Sequence, residues 1–286
     1  MQNTPFSTNK TLNINGRLLD LTIPKVMGVL NVTPDSFYDG GHYNSDDVIL
    51  RQTEKMISEG ADIIDVGGYS SRPDADDIPV QEEQGRIEKA ISLIARNFPD
   101  VIISIDTFRS AVAEAAVQAG AAIVNDISAG DLDPRMFETV ARLQVPYIAM
   151  HMRGTPKTMK TETQYSNLVK EVIQHLQQRL VRLRELDVHD VIIDPGFGFA
   201  KNITQNFGLL HNLEKLSILG KPMLVGLSRK SLIWKTLQTD PAGALNGTTA
   251  LNMVALIKGA DILRVHDVKE AKEVIKLFTS LQVNIR

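Results

Sequence analysis

The sequence predicts an α/β protein built as one (β/α)8 barrel with an N-terminal β-hairpin closing its lower end. Three observations carry this. Eight short runs rich in β-branched residues alternate with longer segments of helical periodicity, which is the sequence form of parallel strands and crossover helices. One phrase returns three times, as "EGADIIDV", "AGAAIVND" and "KGADILRV", each a glycine followed by an apolar run that ends on a polar residue. Ahead of the first run, "TLNINGRLLDL" alternates apolar positions around Asn15-Gly16, a hairpin signal over residues 10–22.

The strand candidates in order are "KVMGVL", "DIIDVG", "VIISID", "AAIVND", "PYIAM", "DVIID", "PMLVGL" and "DILRV". Between them, "VQEEQGRIEKAISLIARN", "SAVAEAAVQA" and "NLVKEVIQHLQQRLVRLREL" place apolar residues at helical spacing, and their Met and Leu stripes read as core. The repeated glycine reads as the left-handed residue that stops a helix before the next strand. "DPRM" reads as a helix start with Asp133 as cap and Pro134 in the first turn. "DVKE" reads as a capping box of Asp267 and Glu270, with Asp267 serving only as a cap. No linker or low-complexity tract divides residues 1–286, so a single domain is expected.

Composition narrows the function classes. A net charge of -3 lacks the footprint of a general nucleic-acid binder. With no cysteine there is neither a disulfide framework nor a thiolate zinc site. The polar start "MQNTPFSTNKTLNING" lacks the order of a secretory signal, and no apolar run approaches a membrane span. A soluble, cytoplasmic protein is expected. His42, His175, His189 and His211 lack metal-ligand spacing.

In such a barrel the active site lies where the strands end. Reading each strand to its end gives Asn31, Asp65, Asp106, Asn125, Met150 with His151, Asp194, Ser228-Arg229-Lys230, and Arg264 with His266. Any one of these could be only a turn or cap residue. Together they form a ring of hydrogen-bonding groups. Carboxylates and an amide among apolar walls suit a neutral heterocycle rich in N–H donors, whereas Lys230, Arg229, Arg264 and Arg72 suit an anion. A plain phosphosugar would leave Asp106, Asn125 and Asp194 without a task. Two glycine- and proline-bearing loops, "NVTPDSFYDGG" and "GGYSSRPDADD", fit lids over the mouth.

The stretches "MGVLNVTPDSFYDGG", "DVGGYSSRP", "ISIDTFR", "VNDISAG", "MHMRGTP", "DPGFGFAK", "GLSRKS" and "RVHDV" resemble, in order, those of the dihydropteroate synthase family, over nearly the whole chain after its first two dozen residues. The resemblance implies a TIM barrel that joins 6-hydroxymethyl-7,8-dihydropterin diphosphate to p-aminobenzoate, releasing diphosphate and forming 7,8-dihydropteroate. It assigns Asp194, Asn125 and Asp106 to the pterin edge and Lys230 to a ring acceptor. Met150 and Phe199 are assigned to the substrate site. Arg264 would lie on the pterin face and hold the diphosphate with His266 and Ser71. Mg²⁺ would sit on Asn31, with Asp35. Ser36, Phe37, Arg72, Pro73 and Ser228 would form the p-aminobenzoate pocket, which sulfonamides would also enter. Asp106, Lys230, Arg264 and His266 would support an SN1-like loss of diphosphate. A homodimer is expected, with "GALNGTTALNMVALIKG" as a candidate face.

The second loop departs from the family's "GGESTRPG", with Tyr69, Ser71 and Asp74 replacing Glu, Thr and Gly. Ser71 keeps the hydroxyl, while Asp74 bears on p-aminobenzoate binding and sulfonamide discrimination. Two other readings are a corrinoid-type pterin methyltransferase, which needs no diphosphate clamp, and a silent pterin-binding paralogue.

Overall fold

The computed structural model describes residues 10–33, 45–70 and 77–283. Strands β1 (Thr11–Ile14) and β2 (Arg17–Asp20) pair antiparallel. The turn between them takes Asn15 and Gly16 through positive φ, 51° and 82°, as an Asn-Gly hairpin requires. Eight parallel strands follow: β3 (Lys25–Asn31), β4 (Ile63–Gly67), β5 (Ile102–Asp106), β6 (Ile123–Asp126), β7 (Tyr147–Met150), β8 (Val191–Asp194), β9 (Leu224–Val225) and β10 (Ile262–Val265). Their order around the sheet is β8-β7-β6-β5-β4-β3-β10-β9. The ends meet where Ile193 bridges Met223 and its N–H donates to the Pro222 carbonyl at 2.9 Å. The sheet is thereby closed into a barrel.

The helices are α1 (Ser45–Ser58), α2 (Val80–Asn97), α3 (Ser110–Ala119), α4 (Met136–Leu143), α5 (Leu168–Glu185), α6 (Ile203–His211), α7 (Ser231–Thr236), α8 (Leu245–Ile257) and α9 (Val268–Val283). None of those described is long and apolar enough to cross a membrane. In α2 the buried Ile87, Ala90, Ile91 and Ile94 keep helical spacing, so one stripe faces the barrel.

Strand alternation divides the apolar residues into two cores. Val26, Ile64, Ile103, Val124, Ile193 and Leu263 point outward to the helices. Met27, Ile63, Ile123, Ile148, Ile192, Leu224 and Ile262 point inward, near the strand starts, where Leu12, Ile14 and Leu21 of the hairpin plug the opening. Asp190 accepts from Asn13 N–H at 3.1 Å and Lys10 pairs with Asp261, fixing the plug to the barrel. Leu12→Ala should cost about 2–5 kcal/mol through lost burial and a cavity. A urea midpoint unchanged from the natural chain would show that the plug carries no stability.

Gly60, Gly120 and Gly259 have φ of 98°, 123° and 98°, so the repeated glycine does stop its helix as expected. Three local expectations fail. The first is that the helix begins at Pro134: α4 starts at Met136, while Asp133 does cap the turn ahead of it, Oδ1 accepting from Arg135 N–H at 3.0 Å and Oδ2 also accepting from Ser110 N–H and Oγ–H at 2.8 and 2.6 Å, at the start of α3. One carboxylate oxygen thus serves its own turn and the other a neighbouring helix's free N–H. The second is the seventh strand, which is only Leu224–Val225, because the chain beyond turns into the site. The third is Asp267 as only a cap. Its two oxygens accept from Arg229 Nε and Nη2 at 2.9 and 2.7 Å. Arg229, whose Nη1 also donates to the Pro241 and Ala242 carbonyls, is thereby withdrawn from the anion-binding role.

Candidate active site

Continuing each inward face by two residues builds the site. Ile63 leads to Asp65, Ile123 to Asn125, Ile148 to Met150, Ile192 to Asp194 and Ile262 to Arg264; one further step from Ser104 gives Asp106, and from Val29 gives Asn31. The polar strand ends named from sequence therefore share one mouth. The intervening residues serve the outer layer. Asp126, beside Asn125, is buried and accepts from Ser128 N–H, Ser128 Oγ–H, Gly130 N–H and Tyr147 O–H at 2.7–2.8 Å.

Arg264 is the hub. Its Nε donates to Asp65 Oδ2 at 2.6 Å and its Nη2 to Asp106 Oδ2 at 2.5 Å, while Asn125 Nδ2 donates to Asp65 Oδ2 at 3.0 Å. Burial opposes the charge of Arg264, but the two carboxylates carry its pKa above the usual value. Burial pushes Asp106 up to about 7; Arg264 pulls it down and the charges of Asp65, Glu83 and Asp126 push it further up. Gly67 keeps this corner open: a Cβ there would stand 3.4 Å from Asn31 Oδ1 and 3.8 Å from Asp106 Oδ2.

Opposite lies Asp194, whose Oδ1 accepts from Gly196 N–H at 2.7 Å and whose pKa burial raises against the pull of Lys230. Lys230, at the residue preceding α7, donates to the Phe197 carbonyl at 2.5 Å and lies 5.0 Å from the Phe199 ring centroid. Burial lowers its pKa to about 8, with Asp194 and Asp106 raising it and Arg264 lowering it. Gly226 separates the two cations, a Cβ there standing 3.7 Å from Lys230 Nζ and 3.8 Å from Arg264 Cβ. At the rim, Ser228 Oγ lies 3.0 Å from His266 Nδ1 and accepts from His266 N–H at 3.1 Å. His266 is exposed, and surrounding protein, then Arg264, hold its imidazole below the ordinary value. Met150 is buried against Met152, Met159 and Ala200, with Phe199 packed on the same cluster.

His151 does not join the ring. It is buried, with Nδ1 3.0 Å from Lys201 Nζ, and its pKa is strongly lowered by burial and by Lys201. Lys201 also donates to the carbonyls of Gly196 and Phe199 at 2.9 and 3.0 Å, gathering the loop that carries Phe197 and Phe199; burial lowers its pKa to about 7. Gly196 itself has φ of 71°, and a Cβ would lie 2.0 Å from the His151 carbonyl oxygen, so only glycine fits. Lys201 carries no functional signal in the sequence beyond the quoted "DPGFGFAK". Asp65, a strand-end residue without an assigned role, proves to be the acceptor shared by Arg264 and Asn125.

Asp35, Ser36, Phe37, Ser71, Arg72, Pro73 and Asp74, with most of both loops, lie outside the described residues. At the edge of the second loop Tyr69 meets the Phe108 ring at 5.1 Å with Arg109 5.0 Å from its centroid, and Arg109 pairs with Asp77 and the buried Glu83, both at 2.8 Å. Tyr69 thus lies against aromatic and guanidinium surface. No group of three or more His, Cys, Asp or Glu suited to a metal ion occurs among the described residues.

The family model described as "Pterin binding enzyme" matches residues 27–266. The dihydropteroate synthase of Haemophilus influenzae is 40% identical over 269 residues, 93% of this chain and 97% of that protein. Two solved structures share the fold closely. The Yersinia pestis dihydropteroate synthase with a sulfonamide drug has a TM-score of 0.89 at 38% identity, covering 96% of this chain and 99% of that one. The Xanthomonas albilineans dihydropteroate synthase with 4-aminobenzoic acid has a TM-score of 0.90 at 37% identity, with the same coverage. With the matched region spanning the whole barrel and its rim, the chain belongs to the pterin-binding enzymes, and within them to the dihydropteroate synthases.

Proposed function

We propose that this chain condenses 6-hydroxymethyl-7,8-dihydropterin diphosphate with p-aminobenzoate, forming 7,8-dihydropteroate and diphosphate for folate synthesis. The observation that carries it is the convergence of two opposite chemistries on one mouth. Asp194, Asn125 and Asp106 offer acceptors to an N–H-rich edge, while Arg264 and Lys230 offer positive charge beside them.

In this reading the Asp194 carboxylate accepts from the pterin amino group and ring N–H. Lys230 donates to a ring acceptor, and Met150 and Phe199 flank the ring. Arg264 lies on the pterin face, and with His266 and Ser71 it takes the negative charge gathering on the departing diphosphate. The methylene C–O bond breaks with its electron pair leaving on diphosphate. Ionised Asp106 and the electron-rich pterin stabilise the cation that develops, in an SN1-like step. The neutral aromatic amine then attacks the methylene carbon and releases its proton to solvent. No covalent enzyme intermediate is needed.

Mg²⁺ would be held by Asn31, whose amide oxygen faces the gap left by Gly67, with Asp35 as a further ligand. Such an ion takes hard oxygens, keeps water, and shares substrate phosphate, whose charge it would neutralise. The Xanthomonas and Yersinia structures hold 4-aminobenzoic acid and a sulfonamide. We extend both ligand classes to this chain, at a pocket drawing on Ser228, Ser36, Phe37, Arg72 and Pro73. Residence in the cytoplasm and assembly as a homodimer belong to the same proposal.

The test is diphosphate release from the dihydropterin diphosphate, followed with and without p-aminobenzoate. Release that depends on p-aminobenzoate is expected. No release would return the chain to a methyltransferase or a silent pterin binder, and release indifferent to p-aminobenzoate would make it a hydrolase of the diphosphate rather than a synthase.

A further inference from the structure

Asp65 touches neither mouth nor solvent, yet it sits among the residues that the proposed reaction uses. It is fully buried in the layer below the rim. Its Oδ2 takes both described hydrogen bonds, from Arg264 Nε at 2.6 Å and Asn125 Nδ2 at 3.0 Å, while Oδ1 is buried without a partner. Its registered neighbour Ser104, also inward, has a buried and unpartnered Oγ. The described hydrogen bonds of the carboxylate therefore go only to two residues of the site, Arg264 on β10 and Asn125 on β6.

A fold requirement does not explain such a group. The inward positions one step below, Ile63, Ile123, Ile192 and Ile262, fill the same barrel with hydrocarbon. Burying an ion pair there gains little or nothing over an apolar filling, whereas removing one partner of an existing pair is costly. What the carboxylate does fix is geometry. One oxygen accepting from two strands sets the angle of the guanidinium on β10 and of the amide on β6 together, and a buried pair has few other rotamers.

We infer that Asp65 is a positioning residue for the reaction: through Oδ2 it holds Arg264 against the pterin face and Asn125 against the pterin edge. The inference rests on the proposed function. It has an electrostatic corollary at Asp106. The groups facing that carboxylate are Arg264 from β10, Asp65 from β4, Glu83 from α2 and Asp126 from β6, and Lys230 feels its charge from across the mouth. Loss of the Asp65 charge removes one repulsion and frees Arg264 for Asp106. Both changes favour ionised Asp106 at lower pH.

Asp65→Asn keeps shape and removes charge. Binding of the dihydropterin diphosphate by calorimetry should weaken by about tenfold or more, and the acidic limb of kcat/KM should move to lower pH. The KM for p-aminobenzoate should change by no more than roughly threefold, since Asp65 acts on the pterin half. Asp65→Glu retains charge but displaces the oxygen by a methylene. It should weaken pterin binding while leaving the acidic limb in place, and it carries the test if Asp65→Asn does not fold. Ser104→Ala, in the same layer, should leave both readouts unchanged. A folded Asp65→Asn with natural pterin affinity and an unmoved limb overturns the inference, as does equal weakening of both substrates. A natural chain without p-aminobenzoate-dependent diphosphate release sinks the proposed function instead, so the two failures are distinct.

Discussion

Asp194→Asn should lower kcat/KM for the dihydropterin diphosphate by about 10²–10³-fold, the roughly 3–4 kcal/mol of a buried charge-assisted contact turned against its ligand. The amide keeps an oxygen for the Gly196 N–H that Asp194 Oδ1 accepts at 2.7 Å, so the loop after β8 can stay in place. Burial already disfavours the charged form of this carboxylate, and a neutral side chain there asks little of the fold. The loss arises at the ligand. An NH2 group would face the N–H edge that the carboxylate accepts from, donor against donor. Lys230 would also lose the carboxylate that raises its pKa, weakening its charge near neutral pH. Steady-state kinetics with thermal unfolding as control provide the check. A folded variant within tenfold of the natural chain would remove Asp194 from the pterin edge.

The second large effect is in the pH dependence of kcat/KM. In the proposed reaction Asp106 serves the developing cation only when ionised, and its pKa is pushed up to about 7. Lys230 serves as a donor only when protonated, and burial brings its pKa down to about 8. Activity should therefore rise through about pH 7, fall above about pH 8, and peak in a narrow window. Lys230 feels the charge of Asp106 and both feel that of Arg264, so the observed constants belong to the cluster. A phosphate's last ionisation, near pH ~6, falls close to the acidic limb. Asp106→Asn separates the sources. Its residual activity should lose that limb while keeping the basic one. A limb that stays in place in Asp106→Asn belongs to the substrate, and a flat natural profile from pH ~6 to ~9 would remove both assignments.

The barrel and the direction of its polar ends were legible in the sequence because they depend on period alone. A strand with Ile63, Asp65 and Gly67 at every second position must present all three to one face, and Gly60, Gly120 and Gly259 marked where such strands begin. Asn15-Gly16 marked the hairpin for the same local reason. The expectations that failed were those in which a side chain had a choice of partners. Asp267 could cap α9 or grip Arg229, and His151 could face the mouth or turn to Lys201. Each was settled by a group from another part of the chain.

What the sequence by itself determined is therefore the order of strands and helices, the inward face of each strand, and the family to which these words belong. Only the tertiary structure decided that Asp65 lies beneath Arg264 and Asn125, that Lys201 gathers the loop around Asp194, and that Arg229 is withdrawn. The physical reason is distance along the chain. Asp65 and Arg264 are separated by 199 residues yet meet at 2.6 Å. Burial then shifts Asp106 and Lys230 toward neutral pH through neighbours brought together only when the barrel closes.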